Sequence, residues 1–390
     1  MAFVPKSISK LYPKLVPVNG TGSWITHVNG SYFLDFTSGI GALSTGHSHP
    51  YVINKVKEQL DSYIHMQQQI FAPHIALNNL NKKMNKIVPR GLDSFFYVNS
   101  GSEATDNAIK IAKRYTGKPN IITLHRGFHG RTLGALSVSS SNTNIKQGLG
   151  GIIPGMYSCY DSTKESLNTL LTHHSPLKDT AAFIIEPVQG EGGIHSIDKE
   201  FFIHISNMCR HNNTLIIADE VQCGSGRTGT WWNIEQKGII PDILTFGKGI
   251  ASGFPLAGLV SKKTIMDSLG TGFLGGTYGS NALCCAAASA TIDVIENEDL
   301  LNNTQNMGQL LYDSLIKFES IKEVRQYGLM IAIQFRPEIN TRTILDELYK
   351  RNIIVLLCGN SNQYIRLLPP LNISKKEVLL FIDALRDIIH

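Results

Sequence analysis

The run Leu215-Ile216-Ile217-Ala218-Asp219-Glu220-Val221-Gln222 decides the fold, because its apolar stretch is continuous and ends on two acids. A strand that is apolar at every position, rather than at alternate ones, is buried on both faces, as strands of a parallel sheet are. Five further runs share this character: Ser94–Val98, Ile121–Leu124, Ala181–Ile185, Ile243–Phe246 and Ala257–Val260. Helical patterns lie between several of them. The clearest spans Ser102–Tyr115, where Ala104, Ala108, Ile111, Ala112 and Tyr115 recur on one face, and another covers about Phe201–His211. Strands alternating with helices predict an α/β fold with a mostly parallel sheet covered on both sides.

Outward from this centre the character changes. Residues 1–50 read as short strands and turns, punctuated by Asn19-Gly20 and Asn29-Gly30. After residue 295, amphipathic segments around Leu300–Ser320 and Thr341–Arg351 enclose short strands near Met330–Phe335 and Tyr364–Leu368. A chain of 390 residues exceeds one ordinary core. The expected division is a large α/β domain over 51–295 and a smaller α+β domain built from 1–50 and 296–390.

Composition excludes several function classes. Hydrophobic residues at 42% and charged residues at 17% are the balance of a soluble globular chain. The net charge of +5 is spread without a basic run, so no nucleic-acid partner is expected. No apolar stretch reaches membrane-spanning length, so no membrane partner is expected either. Six cysteines show no paired spacing, which points to a reducing compartment. The expected location is the cytoplasm, or an organelle matrix if a transit peptide has been removed.

Three stretches carry chemistry. In Thr245-Phe246-Gly247-Lys248-Gly249 a lysine follows directly on an apolar strand, between two glycines. That describes an ordinary surface lysine in a strand-ending turn. It also describes an amine at the carboxyl end of a parallel strand, where α/β proteins bind ligands and where a lysine can form a Schiff base with a carbonyl, including that of pyridoxal phosphate. Asp219 and Glu220 either solvate a strand end or supply a buried carboxylate to a cationic partner, such as the protonated ring nitrogen of that cofactor. Val98-Asn99-Ser100-Gly101-Ser102-Glu103-Ala104 follows a strand and opens the best helix, so it is either a capping motif or a phosphate cradle. Gly224-Ser225-Gly226-Arg227-Thr228-Gly229 and Gly270-Thr271-Gly272-Phe273-Leu274-Gly275 match a dinucleotide-binding spacing but lack the flanking strand and helix it requires. His125 and His129 are spaced like zinc ligands, with Gly127 between them and no glutamate after His125.

Taken in order and spacing, these motifs resemble the class III, fold-type-I aminotransferases that depend on pyridoxal phosphate. The resemblance runs from Leu34-Asp35-Phe36 to Arg366-Leu367-Leu368-Pro369-Pro370-Leu371. It implies that Lys248 holds the cofactor and moves the proton, and that Asp219 pairs with its ring nitrogen. It places Val221 and Phe128 on the two ring faces, Gln222 on the phenolic oxygen, and Ser100, Gly101 and Ser102 at the phosphate, with His129 and Glu186 also at the cofactor. Thr277, in Gly275-Gly276-Thr277-Tyr278, resembles a residue that reaches the phosphate of a neighbouring subunit, which implies a homodimer with shared sites.

The same resemblance bears on substrate. Arg131 corresponds to an arginine for a carboxylate distal to the reacting carbon, Arg366 to one for an α-carboxylate, and Glu191 to the acid that neutralises Arg366 when no α-carboxylate is present. An amino donor reacting at its terminal amine and 2-oxoglutarate as acceptor would then use one site in turn, by a ping-pong route. Ile40, in Ser38-Gly39-Ile40-Gly41, stands where ornithine aminotransferases carry a tyrosine, which favours 4-aminobutyrate or acetylornithine as donor. The expectation is a 4-aminobutyrate:2-oxoglutarate aminotransferase giving glutamate. Acetylornithine or ornithine aminotransferase is the alternative, followed by a glutamate-1-semialdehyde aminomutase or a non-catalytic relative. No metal is expected.

Overall fold

The continuous apolar runs are divided, residue by residue, between two cores. Ile122, Leu124, Phe183, Ile185, Ile216, Ala218, Leu244 and Phe246 enter one cluster, while Ile121, Ile184, Leu215, Ile217 and Ile243 enter another. Successive strand residues point to opposite faces, so only a sheet covered on both sides can bury every one of them. The protein is described here by a computed structural model covering residues 5, 7–8, 10–149 and 152–389.

The central sheet has seven strands in the order Ser94–Val98, Ala257–Ser261, Ile243–Phe246, Leu215–Asp219, Thr180–Ile185, Asn120–Leu124 and Met156–Cys159. Ala257–Ser261 runs antiparallel to both neighbours, and the remaining pairings are parallel. All six runs expected from sequence are strands here. Met156–Cys159 went unanticipated: it lies at the sheet edge, where Ser158 faces solvent and the apolar signal is weak. Helix Gly101–Thr116 covers one face through Ala104, Ala108, Ile109, Ile111 and Ala112. Tyr115, placed on that face by spacing, is 38% exposed. Helices Ile75–Ile87, Lys164–His173 and Lys199–His211 contribute to the core on the other face.

Helix Ala282–Asn297 supplies Cys285, Ala288 and Ile292 to the central core and Ala287, Ala290 and Val294 to a third cluster. That cluster contains side chains from both ends of the chain. Strands Pro17–Thr21, Trp24–His27 and Tyr32–Asp35 form a sheet completed by Ile353–Ile354, with Leu34 opposite Ile353. A separate antiparallel sheet runs Ile321–Tyr327, Met330–Phe335, Tyr364–Leu367, Leu356–Cys358. Helices Leu300–Leu315, Thr341–Lys350 and Lys375–Ile389 pack around it. Strand Ile321–Tyr327 escaped the sequence pattern because Lys322, Glu323, Arg325 and Gln326 make an edge strand look like a loop. Among the described residues no helix is long and apolar enough to cross a membrane, and all six cysteines are free and buried.

Candidate active site

Three neighbouring parallel strands deliver one functional residue each to the same edge of the sheet. Thr180–Ile185 leads into Glu186, Leu215–Asp219 ends on Asp219, and Ile243–Phe246 leads through Gly247 to Lys248. This is the carboxyl edge, where α/β sheets open into ligand crevices. A cavity of about 150 Å³ lies there, lined by Gly101, Ser102, Phe128, His129, Gly130, Glu186, Asp219, Val221, Gln222 and Lys248. A larger hollow of about 540 Å³ between helices Pro50–Leu60, Ile75–Ile87 and Ala282–Asn297 touches no strand end.

Lys248 leaves the strand with φ of 46°, in the left-handed region that a lysine seldom adopts. It is half-buried, and its amine has no hydrogen-bond partner among the described residues. Burial pulls its pKa below the ordinary lysine value, with Arg366 pulling the same way and the carboxylates of Glu191, Glu186 and Asp219 opposing. A larger share of the amine is therefore unprotonated, and available as a nucleophile, than in an exposed lysine.

Asp219 is 2% exposed and firmly held. Its Oδ2 lies 2.7 Å from His129 Nδ1, and His129 Nε2 lies 3.0 Å from Thr123 Oγ1. His129 donating through Nδ1 and accepting at Nε2 satisfies both contacts. Oδ1 accepts from the Val221 N–H and the Thr245 hydroxyl, each at 3.1 Å. A carboxylate has about four acceptor positions, so three internal donors leave one for a cationic N–H in the cavity. The adjacent Glu220 does different work. It is fully buried, accepts from Ile234 N–H at 2.6 Å and Cys223 Sγ at 3.0 Å, and is pushed up by burial to about 7. Strand alternation sends the two neighbouring acids to opposite sides, and only Asp219 lines the cavity.

The loop before helix Gly101–Thr116 divides its labour. Ser100 caps the helix: it accepts from Glu103 N–H at 3.3 Å, and Glu103 Oε2 accepts from Ser100 N–H at 2.8 Å. Ser100 therefore serves the capping motif and is absent from the cavity lining, whereas Gly101 and Ser102 belong to it. A Cβ on Gly101 would come within 2.8 Å of Val221 Cγ1, so only glycine leaves the helix N-terminus open at this point. Glu186 ties two loops to the site, accepting from Phe128 N–H at 2.7 Å and Gly190 N–H at 3.2 Å, and burial pushes its carboxyl up.

Beside the cavity, Gln222 leads to a charge pair. Arg366 Nη1 lies 2.7 Å from Glu191 Oε1 and 3.3 Å from Gln222 Oε1, and Gln222 Nε2 reaches Glu191 Oε1 at 3.4 Å. Burial pushes the Glu191 carboxyl up, but Arg366, with smaller help from Lys248 and Gln222, outweighs this and holds it below the usual carboxylate range. Arg366 is 2% exposed, and its Nε is buried with no partner among the described residues.

The remaining expected residues lie outside the lining. Arg131 is exposed; its backbone N–H donates to Ser102 Oγ at 3.0 Å, and its guanidinium makes no ion pair among the described residues. Ile40 is 45% exposed with φ of 64°, and Thr277 is exposed. Thr123 and Thr245 were missed, although a lone hydroxyl inside an otherwise apolar strand was a visible signal. Gly130 was missed as well. The stretch Gly224–Gly229 is a buried turn whose Arg227 donates to the carbonyls of Leu329 and Pro369, and so holds no phosphate. His125 packs against Tyr160, with ring centroids 5.3 Å apart, whereas His129 is held by Asp219 and Thr123.

These residues fit pyridoxal phosphate: an unpartnered amine, a carboxylate with a vacant acceptor position, an aromatic wall and an open helix N-terminus surround one cavity. The comparisons agree. The profile of the family described as Aminotransferase class-III matches residues 7–389. The 5-aminovalerate aminotransferase DavT of Pseudomonas putida is 36% identical, over 95% of this chain and 92% of its own. The 4-aminobutyrate aminotransferase GabT of Escherichia coli is 34% identical over 96% and 93%. An acetylornithine aminotransferase of Bacillus cereus is 35% identical over 93% and 91%. A solved amine transaminase from an uncultivated Pseudomonas species, in its PLP-bound form, superposes with a TM-score of 0.90 at 27% identity, covering 100% of this chain and 98% of its own. The chain belongs to the class-III aminotransferases, which use pyridoxal phosphate.

Proposed function

We propose that the protein transfers an amino group from an ω-amino acid, 4-aminobutyrate, to 2-oxoglutarate, giving glutamate by a ping-pong route. The observation that carries this is the Glu191–Arg366 pair beside the cavity. Arg366 engages Glu191 through Nη1 alone, leaving a buried Nε unsatisfied. An unpaired buried donor costs about 1–3 kcal/mol. A substrate α-carboxylate, which binds a guanidinium through two parallel contacts, would remove that penalty and displace Glu191. A donor that reacts at a terminal amine brings no α-carboxylate, and Glu191 then keeps Arg366 neutralised. Arg131, exposed and without an ion pair among the described residues, is available to the carboxylate at the far end of either substrate.

Bound pyridoxal phosphate supplies the carbonyl that captures the donor nitrogen and the ring that accepts electrons from the substrate carbon. Lys248 would hold that carbonyl until the donor nitrogen takes its place, and its freed amine would then move the proton at Nζ. Asp219 would offer its vacant acceptor position to the ring N–H, with His129 and Thr245 keeping the carboxylate in place. Gly101 and Ser102 hold the phosphate, and Phe128 and Val221 confine the ring. Gln222 joins the ring pocket to the arginine pair. We assign residues 51–295 to the cofactor domain, and 1–50 with 296–390 to a small domain, an assignment the pairing of Leu34 with Ile353 supports. Thr277, exposed in the single chain, is assigned to the phosphate of a second subunit in a homodimer.

The test is the visible spectrum of the purified holoenzyme as 4-aminobutyrate is added without keto acid. Loss of the cofactor band, restored by 2-oxoglutarate and absent in Lys248→Ala, is the expected result. One methylene discriminates by about 10–200-fold, so 5-aminovalerate is compared alongside. A response to N-acetylornithine but not to 4-aminobutyrate would transfer the assignment to an acetylornithine aminotransferase.

A further inference from the structure

Two arginines, not one, project from the small antiparallel sheet toward the loop that carries Glu191. Arg325 stands opposite Ala332, and Ala332 stands opposite Arg366. Directly opposed residues share a sheet face, so the two side chains rise on either side of one methyl group, two strand spacings or about 10 Å apart. Arg366 takes the Glu191 carboxylate. Arg325 Nη1 takes the Gly193 carbonyl and lies 2.8 Å from His195 Nε2.

The surroundings of Arg325 lock it in place. Its guanidinium lies 4.4 Å from the centroid of Tyr364, which shares the Arg366 face by strand alternation. Glu323 holds the rest of its fork, with Oε1 2.8 Å from Nε and Oε2 2.9 Å from Nη2. The Arg325 side chain is only 11% exposed. Tyr364 in turn lies against the loop, because a Cβ on Gly193 would come within 2.9 Å of its ring. Gly193 has φ of 111°, and glycines at 190, 192 and 193 make this segment pliable without outside support. Glu191's own carbonyl accepts from the Gly359 N–H at 3.0 Å, and the loop is closed at its base by the pairing of Val188–Gln189 with His195–Ser196 and by Gly190 N–H on Glu186, which leaves residues 191–194 to Arg325, Tyr364 and Gly359.

We propose that Arg325 is a positioning residue for donor specificity: by clamping the Gly193 carbonyl it fixes the loop so that Glu191 meets Arg366 as a pre-formed pair. This rests on the Glu191–Arg366 exchange proposed above. A loosened loop would leave the two charges apart for part of the time, and Arg366 would stand open to α-carboxylates. The variant should therefore lose the ω-amino donor while keeping glutamate, a split that a merely structural role does not produce.

The experiment follows both half-reactions in single turnovers of the holoenzyme, with 4-aminobutyrate and with glutamate as donor, for the wild type, Arg325→Met, Gly193→Ala and Glu191→Gln. Arg325→Met keeps the packed stem. Gly193→Ala pushes the same loop off Tyr364 with both arginines intact. A displacement of about 1 Å costs up to about 100-fold; a fall of about tenfold or more in the rate for 4-aminobutyrate relative to glutamate is expected in all three variants, with glutamate not slowed. If Glu191→Gln shows the split and the other two lower both donors equally or neither, Arg325 has no such role while the exchange stands. If Glu191→Gln shows no split, the exchange fails and this proposal falls with it. Should Arg325→Met not fold, Gly193→Ala decides, and an unsplit response there overturns the proposal.

Discussion

Replacing Glu191 by glutamine removes one charge and almost no volume, so it isolates the electrostatic part of the Glu191–Arg366 pair. The carboxylate is held 2.7 Å from a guanidinium that is 2% exposed. A hydrogen bond between charged partners contributes about 1.5–3 kcal/mol. On the proposed exchange, 2-oxoglutarate must break this bond to reach Arg366, whereas an ω-amino donor leaves it intact. In Glu191→Gln the keto acid no longer competes with an internal carboxylate, and the donor covers an unneutralised cation. The two changes act in opposite directions, so their sum, the ratio of the two half-reactions, carries the number. At about 1.4 kcal/mol per factor of ten, that ratio should move by about 10- to 150-fold toward the keto acid. Rapid-mixing absorbance of the cofactor band in each half-reaction measures it directly. The pH dependence gives a second check. Arg366 depresses the Glu191 pKa, so the pair is fully present above the ordinary carboxylate value and is lost only as pH falls through the depressed one. The wild-type ratio should then be flat from about pH 6 upward. Equal losses in both half-reactions, or a ratio that drifts through neutral pH, would refute the reasoning.

Gly101→Ala places a methyl 2.8 Å from Val221 Cγ1 at the helix N-terminus proposed to hold the phosphate; overpacking of this kind costs about 1–3 kcal/mol, and equilibrium dialysis should show cofactor binding weakened about tenfold or more. Burial depresses the Lys248 pKa, so the folded apoenzyme sheds this proton before the unfolded chain does. Cofactor capture should accelerate with a midpoint below the ordinary lysine value, and this lysine's contribution to stability should rise with pH up to that value, as stopped-flow reconstitution and denaturant titrations across pH would report. Arg227→Met should lower the denaturation midpoint without altering the donor ratio. Truncation there strands the carbonyls of Leu329 and Pro369, at about 1–3 kcal/mol for each buried polar group left unpaired.

Local pattern carried a large part of this protein. A strand buried on both faces needs apolar residues at every position, and that need is visible in five letters of sequence; hence the six core strands and the helix opening at Gly101 were legible. Local pattern put Asp219 and Lys248 at or just past the ends of such strands, on the carboxyl edge of the sheet, while the choice of these two over their ordinary readings came from the family resemblance. Two edge strands were not legible, Met156–Cys159 and Ile321–Tyr327, because their outward polar residues erase the signal, whereas Ser94–Val98, at the other edge of the central sheet, kept an apolar run and was legible.

What only the tertiary structure decided is which of several chemically equivalent residues share a space. The apolar pattern alone does not separate Asp219 from Glu220, which only the family resemblance distinguished; strand alternation sends the first to the cavity and the second to Ile234 and Cys223. Ser100 and Ser102 look alike, yet helix geometry gives the first to the cap and the second to the cavity. Glu191 and Arg366 stand 175 positions apart, and Arg325 reaches Gly193 across 132. Periodicity reports which face of its own element a side chain occupies. Which distant element fills the space opposite is set by the closure of whole sheets against one another, and no local pattern encodes that.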